Sequence, residues 1–358
     1  MSTAYYLLPG ARLPEAVARE VIGGAGRNAL ERIASGLENV SVEQLASGIT
    51  APFALCPHHL WFWDIVPRGK TTPAHAAYSW LEDNGPTLGT EIWEVTPCRV
   101  SGGKFLGLGE DPLTNSEVDA CSPFLRKALA RNGFVLQQWD NRWYATRMKD
   151  WPVVARPWEC EEGRGLDEEA LAGDRATAER VMKEAGEALR AAPPVAERRA
   201  SGRPAPDTVW ISGGGRQIRF YPPTLIRAVL SDEPVIRGWA KESGILCQYV
   251  GRTSDGTWPR EAPPGDVIAV VSDLWKPWLR RDWEAWLHAL PGAAEKVERL
   301  RKGAEERESG EAVVVCFGRG NSATLTRRTG GLRRRFLGRF GKKAAPGLDW
   351  LIDKEGRQ

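Results

Sequence analysis

Histidine is scarce in this chain. His58, His59, His75 and His288 are all there are in 358 residues, too few to assemble readily the imidazole-and-carboxylate sets of a two-metal centre. The six cysteines, Cys56, Cys98, Cys121, Cys160, Cys247 and Cys316, are scattered with no C-x-x-C pair. That spacing argues for reduced core thiols and against a disulfide framework. Apolar runs such as Val267–Val271 fall far short of a membrane span, so no membrane insertion is expected. The opening MSTAYYLLPGARLPEA lacks the basic and apolar regions of a secretory signal, which points to the cytoplasm. A G-x-S-x-G nucleophile elbow is missing, as are the G-x-x-x-x-G-K and G-x-G-x-x-G phosphate loops.

What the chain does have is ordinary globular material: 42% hydrophobic and 27% charged residues with a net charge of +3. Its 16 tryptophans read as core anchors, each needing a partner for its indole N–H. The length suits one large α/β unit or two lobes. Residues 4–8 and 90–101 read as strands, 134–147 as a hairpin, and 266–273 as a central parallel strand apolar on both faces. Residues 114–131 read as a helix opened by a Thr114–Glu117 capping box, and 166–190 and 275–290 as further helices. In the last of these Leu279, Trp283, Trp286, Leu287 and Leu290 share a buried face. The stretch 50–72 is aromatic and irregular.

The alternation predicts an α/β protein with a mixed, mostly parallel sheet flanked by helices, a C-terminal antiparallel hairpin and a basic tail. Pro193, Pro194, Pro204 and Pro206 make 191–207 the expected linker between an N-terminal α/β lobe, 1–190, and a C-terminal lobe, 208–358.

Four places could carry chemistry. TVWISGGGRQIRFYPP runs from a strand into Ser212, Gly213, Gly214, Gly215 and Arg216. Successive backbone N–H groups there could cradle an anion with Arg216 as a charge-assisted fork. No helix follows the glycines, however, so a tight structural turn is the competing reading. CPHHLWFWD places Cys56, His58, His59 and Asp64 close together, types that ligate zinc-class ions, though a divalent metal is not the favoured expectation at this spacing. Asp273 follows a strand, where open α/β sheets put ligand-contacting groups; it is the candidate catalytic residue, and Asp232 and Asp266 have weaker claims. Finally Arg327, Arg328, Arg333, Arg334, Arg335, Arg339, Lys342 and Lys343 form a basic run uninterrupted by acid, suited to nucleic acid or an acidic protein.

Several segments taken in order, PPVAERRASGRPAPD with VWISGGGR, WEVTPCRV, GFVLQQWDNRWYA and the basic C-terminal hairpin, resemble the proteobacterial RpfE-type regulatory protein family. That family is also labelled cofactor-independent phosphoglycerate mutase-like and is distantly similar to the alkaline phosphatase superfamily. The resemblance spans most of residues 90–340. It implies an α/β core, and in active members two metal ions on Asp and His ligands around a Ser or Thr nucleophile. This chain departs from that set. Leu274 follows Ser272-Asp273 where a histidine would continue the motif. Arg99 follows Thr96-Pro97-Cys98 where the family commonly has histidine, which makes Arg99 a candidate anion contact instead. The expectation is a regulatory protein that binds a small phosphorylated or other anionic ligand, with a metal-dependent phosphate-ester hydrolase or mutase as the alternative and a nucleic-acid-associated accessory protein, acting through the basic tail, as a further one.

Overall fold

The computed structural model describes residues 2–37, 39–67, 72–84, 90–139, 141–218, 220, 225–250, 264–306, 309–326 and 347–353. The eight basic residues of the tail, Arg327, Arg328, Arg333, Arg334, Arg335, Arg339, Lys342 and Lys343, lie outside them. Leaving aside the short strand Lys104–Leu106, which pairs with the end of β3 off the main path of the second sheet, the strands of the two large sheets are in chain order β1 (Ser2–Leu8), β2 (Asn39–Gln44), β3 (Glu91–Ser101), β4 (Val135–Trp139), β5 (Arg142–Arg147), β6 (Thr208–Arg216), β7 (Ile226–Leu230), β8 (Leu246–Gln248), β9 (Asp266–Val270), β10 (Ser309–Phe317) and β11 (Asn321–Thr326). The helices that matter below are α1 (Pro57–Ile65), α2 (His75–Asn84), α3 (Asn115–Ala130), α4 (Arg175–Arg190), α5 (Pro193–Ala200), α6 (Pro234–Glu242), α7 (Trp275–Arg280) and α8 (Trp283–Glu306).

The chain divides into two compact units. One comprises Met1–Ala46, Ala54–Arg68 and Phe220–Gln358; the other Ser47–Phe53 and Gly69–Arg219. The first is built on a seven-stranded sheet in the order β8-β7-β9-β1-β10-β11-β2. Its first five strands run parallel, and β11 is antiparallel to both its neighbours. This is the expected α/β architecture: β9 lies between β7 and β1, and β10–β11 is the C-terminal hairpin. Val267, Ile268, Ala269 and Val270 are all buried, because a strand covered on both faces offers no polar side. The second unit carries an antiparallel sheet in the order β6-β3-β5-β4, backed by α3, α4 and α5 through one apolar core.

The division corrects the expected lobes. β1 from the N-terminal end pairs with β9 and β10 from the C-terminal third, so the first unit draws on both ends of the chain and no cut at 191–207 separates it. The expected linker is also corrected. Pro193 and Pro194 occupy the first turn of α5, where a missing N–H leaves no bond unmade, and Arg198 on that helix is buried. Two helices are shorter than their periodicity suggests. Residues 166–174 hold a short strand, Leu171–Gly173, before α4. The 275–290 helix breaks at Arg281, whose φ of 54° is left-handed. Conversely, α1 orders part of the stretch that reads as irregular.

Several tryptophans behave as anchors with satisfied N–H groups, while the buried Nε1 atoms of Trp151 and Trp350 meet no partner among the described residues. Trp286 Nε1 donates to Gly10 O at 2.8 Å, Trp278 Nε1 to Arg12 O at 2.8 Å and Trp275 Nε1 to Leu55 O at 2.9 Å. In the second unit Trp210 Nε1 donates to Arg156 O at 2.8 Å. None of the six cysteines forms a disulfide, and five are buried. Burial pushes the Cys98 thiol up to about 12, so it stays protonated. Among the described residues no helix is long and apolar enough to cross a membrane.

Candidate functional site

In the first unit, elements that follow the carboxyl ends of parallel strands converge on one cluster. Ser231 N after β7 donates to Gln248 O at 3.0 Å, closing the strand. Glu233 N then donates to Ser231 Oγ at 3.1 Å. Pro234 holds Glu233 in extended backbone and begins α6. A carboxylate at this N-cap position is favoured by the helix dipole. On α1, Pro57 opens the helix after Cys56, and His59 N donates to Cys56 O at 2.9 Å. His58 and His59 therefore stand in the first turn of α1.

The two imidazoles meet one carboxylate oxygen. His58 Nε2 is 3.1 Å and His59 Nε2 2.6 Å from Glu233 Oε2. Relative exposure is 0% for His58, 3% for His59 and 9% for Glu233. Aromatic rings close the surroundings: Trp275 lies 4.7 Å from the His58 ring and Trp239 5.7 Å from the His59 ring, centroid to centroid. Phe317, at the end of β10, is 5.9 Å from His58.

The electrostatics follow from that enclosure. Burial pulls the His58 imidazole down to about 4, against the opposing pull of Glu233. Burial alone would raise the Glu233 carboxyl, but the charge and hydrogen bonding of the two imidazoles outweigh it and hold the carboxyl well below the usual range. The carboxylate is thus ionised in a site walled by rings. Its second oxygen, Oε1, is buried and has no hydrogen-bond donor among the described residues, and His58 Nδ1 is likewise unpartnered. An ionised carboxylate in such a place is costly unless a cation or further donors meet it. Two imidazoles and a carboxylate whose ligand atoms all lie within 4.8 Å form a donor set that suits a zinc-class ion.

The structure thus brings together two of the four residues expected around a metal. Cys56 caps α1 and is buried but does not belong to the converging set, and Asp64 is exposed further along the same helix. Glu233 is the member sequence reasoning missed, being 175 residues from His58; its neighbour Asp232 carried the weak claim. The one local signal was an acidic residue before a proline after a strand. Asp273 follows β9 but pairs with Lys296 Nζ at 2.6 Å. His75 begins α2 in the second unit, 5.1 Å from the Phe53 ring.

The glycine segment also lies in the second unit, inside a strand. β6 pairs with β3 through Ser212, breaks register, and resumes at Gly215; this is a bulge. Ser212 is buried. Gly213 has φ +68°, and a Cβ there would stand 2.9 Å from Ala76 N. Arg216 reaches Asp150 at 2.8 Å and Met148 O at 2.6 Å. Arg99 Nε donates to Gly107 O at 3.2 Å.

No known family's sequence pattern matches the chain, and no curated protein matches it. Among solved structures, it is similar to the PH0037 protein from Pyrococcus horikoshii, with 14% identity, 91% of this chain and 87% of that one covered, and a TM-score of 0.48. It is also similar to a cofactor-independent phosphoglycerate mutase from Thermoplasma acidophilum, with 13% identity, coverage of 92% and 90%, and a TM-score of 0.46.

Proposed function

We propose that this protein binds one divalent ion of the zinc class through His58, His59 and Glu233, and that the bound ion is what the carboxyl edge of the seven-stranded sheet is built to hold. The observation that carries this reading is a buried carboxylate shared by two imidazoles, with its other oxygen lacking a donor among the described residues. Three protein ligands leave a coordination position for an oxygen of water or of a substrate. The chemistry such an ion supplies is Lewis-acid polarisation of that oxygen, the role a phosphate-ester enzyme would use. Around it, this chain's own residues orient the donors: the first turns of α1 and α6 fix the imidazoles and the carboxylate, and Trp239, Trp275 and Phe317 pack against the imidazole rings.

Metal analysis of untagged protein purified without chelator tests this directly. About one equivalent of zinc-class ion per chain is expected. Chelation should lower the melting temperature, since an ion at one hundred times its Kd stabilises by about 2.7 kcal/mol. Glu233→Ala can weaken the fold for other reasons, so Glu233→Gln is the discriminating variant. It keeps an acceptor oxygen and should fold, yet lose most of the ion. Wild-type protein that holds no ion, and whose melting temperature is unmoved by added zinc, would leave the cluster as a hydrogen-bonded strut between two helices.

A further inference from the structure

The second unit has a cavity at one end of its antiparallel sheet. It measures about 650 Å³, within the range of small-molecule sites. Three elements form it: the end of α3 with Arg131 and Asn132, the paired strands β4 and β5 with the residues after them, and the first turns of α4 with Thr177 and Arg180. Its cations are Arg131, Arg147, Lys149 and Arg180, and among the described residues no carboxylate lines it.

The state of those cations decides what the cavity suits. Arg180 is committed: its Nη1 donates to Asn132 Oδ1 at 2.9 Å and Glu184 Oε1 at 3.0 Å. Arg131, Arg147 and Lys149 make no side-chain hydrogen bond or ion pair with the described residues. The Arg147 guanidinium is nevertheless held in place, 5.0 Å from the Phe134 ring centroid and 6.0 Å from that of Trp151. Aromatic packing fixes its plane while leaving its N–H fork unspent. Three cations without a hydrogen-bonded acid among the described residues share one concave lining, and a bound anion would meet their charge. The nearby acids are otherwise engaged. Glu184 binds Asn132 and Arg180, and Asp174 caps α4 by accepting from Thr177 N. The rest of the lining is mixed, with Thr90 and Thr146, the latter donating its hydroxyl to Val135 O at 3.3 Å, and with Val135, Met148 and Val181 as apolar surface.

We infer that this cavity binds a phosphate-bearing small molecule with an apolar or heterocyclic body, its phosphate on Arg131, Arg147 and Lys149 and its body against Val135, Met148 and Val181. This site is separate from the proposed metal cluster, and neither reading needs the other.

Calorimetry on the full chain with ADP, pyrophosphate and adenosine tests it. ADP should bind most tightly, pyrophosphate less so, and adenosine least. Arg131→Ala or Lys149→Ala should each weaken ADP about tenfold, the value of one charge-assisted bond, and the double reversal Arg131→Glu with Lys149→Glu should abolish binding. These side chains are exposed, so the variants should fold. Lys183→Glu, an exposed change on α4 outside the lining, should leave affinity as it was. Failure of all three probes to bind would overturn the inference. So would equal weakening by Lys183→Glu, which would reveal a diffuse surface field. Displacement of ADP by single-stranded dT oligomers, growing with oligomer length and falling steeply with salt, would show a polymer groove instead.

Discussion

Arg198→Ala is expected to destabilise the protein by about 3–5 kcal/mol, the loss that follows when one partner of a buried ion pair is removed and the other stays behind. The side chain of Arg198 is fully buried on α5. Its Nε donates to Glu117 Oε1 at 2.8 Å and its Nη2 to Glu117 Oε2 at 2.7 Å, a two-pronged pair. The remaining N–H groups reach three backbone carbonyls: Asp111 O at 2.8 Å, Pro204 O at 2.9 Å and Pro112 O at 2.7 Å. Alanine would leave three carbonyls facing a void and a carboxylate that keeps only its bonds from Thr114 and the exposed Arg203 among the described residues. Lysine would restore the charge but not the fork, and should recover only part of the loss. Urea unfolding measures both; a loss under about 1 kcal/mol would mean that the guanidinium acts no more strongly than a surface pair.

The same pair sets an acid limb. Hydrogen bonds from Arg198 hold the Glu117 carboxyl down at about 2, against an ordinary value of 4.5. Because the folded value is the depressed one, the contribution is fully present above pH 4.5 and is lost as pH falls toward 2. The wild-type protein should lose stability across that window, and Arg198→Ala should show a flatter profile there. Matching profiles in the two proteins would show that Glu117 owes its ionisation to something other than Arg198.

Arg198 also shows where sequence reading succeeds and where it stops. Features written in consecutive residues are legible. The Thr114–Glu117 capping box forms as spelled, the apolar run of β9 sits in mid-sheet, and the β4–β5 and β10–β11 hairpins pair as expected. The prolines at 193 and 194 carry two opposite meanings, helix breaker or first turn, and the choice is made by the buried contacts of Arg198 with Asp111 and Glu117, remote in the chain. The candidate site divides the same way. His58 and His59 stand out as adjacent imidazoles in a chain poor in histidine, whereas Glu233 becomes their partner only once β7 and α1 share one sheet edge. The glycines at 213–215 were ambiguous because a loop that cradles an anion and a strand crowded by a neighbour ask for the same residue.

Gly214→Ala separates those two meanings. A Cβ on Gly214 would fall within the Trp93 ring. That ring is buried, its Nε1 donates to Glu91 Oε2 at 3.0 Å, and Trp151 packs 4.7 Å away, centroid to centroid. Trp93 therefore has little room to yield. β6 is itself paired to β3 on both sides of the bulge, so the backbone cannot easily retreat. Overpacking of this kind costs about 3 kcal/mol or more, and for a unit of this size the melting temperature should fall by roughly 6–12 °C. Gly213→Ala should be comparably harmful for a different reason, since its φ of +68° is a left-handed conformation that a Cβ disfavours. Arg216→Ala removes a half-exposed pair with Asp150 and a carbonyl contact; it should cost under about 1 kcal/mol and leave anion affinity unchanged. The opposite pattern, a well-folded Gly214→Ala protein together with an Arg216→Ala variant that no longer binds pyrophosphate, would make the bulge an anion cradle. The expected pattern makes the three glycines the clearance that lets Trp93 and the start of α2 close against β6.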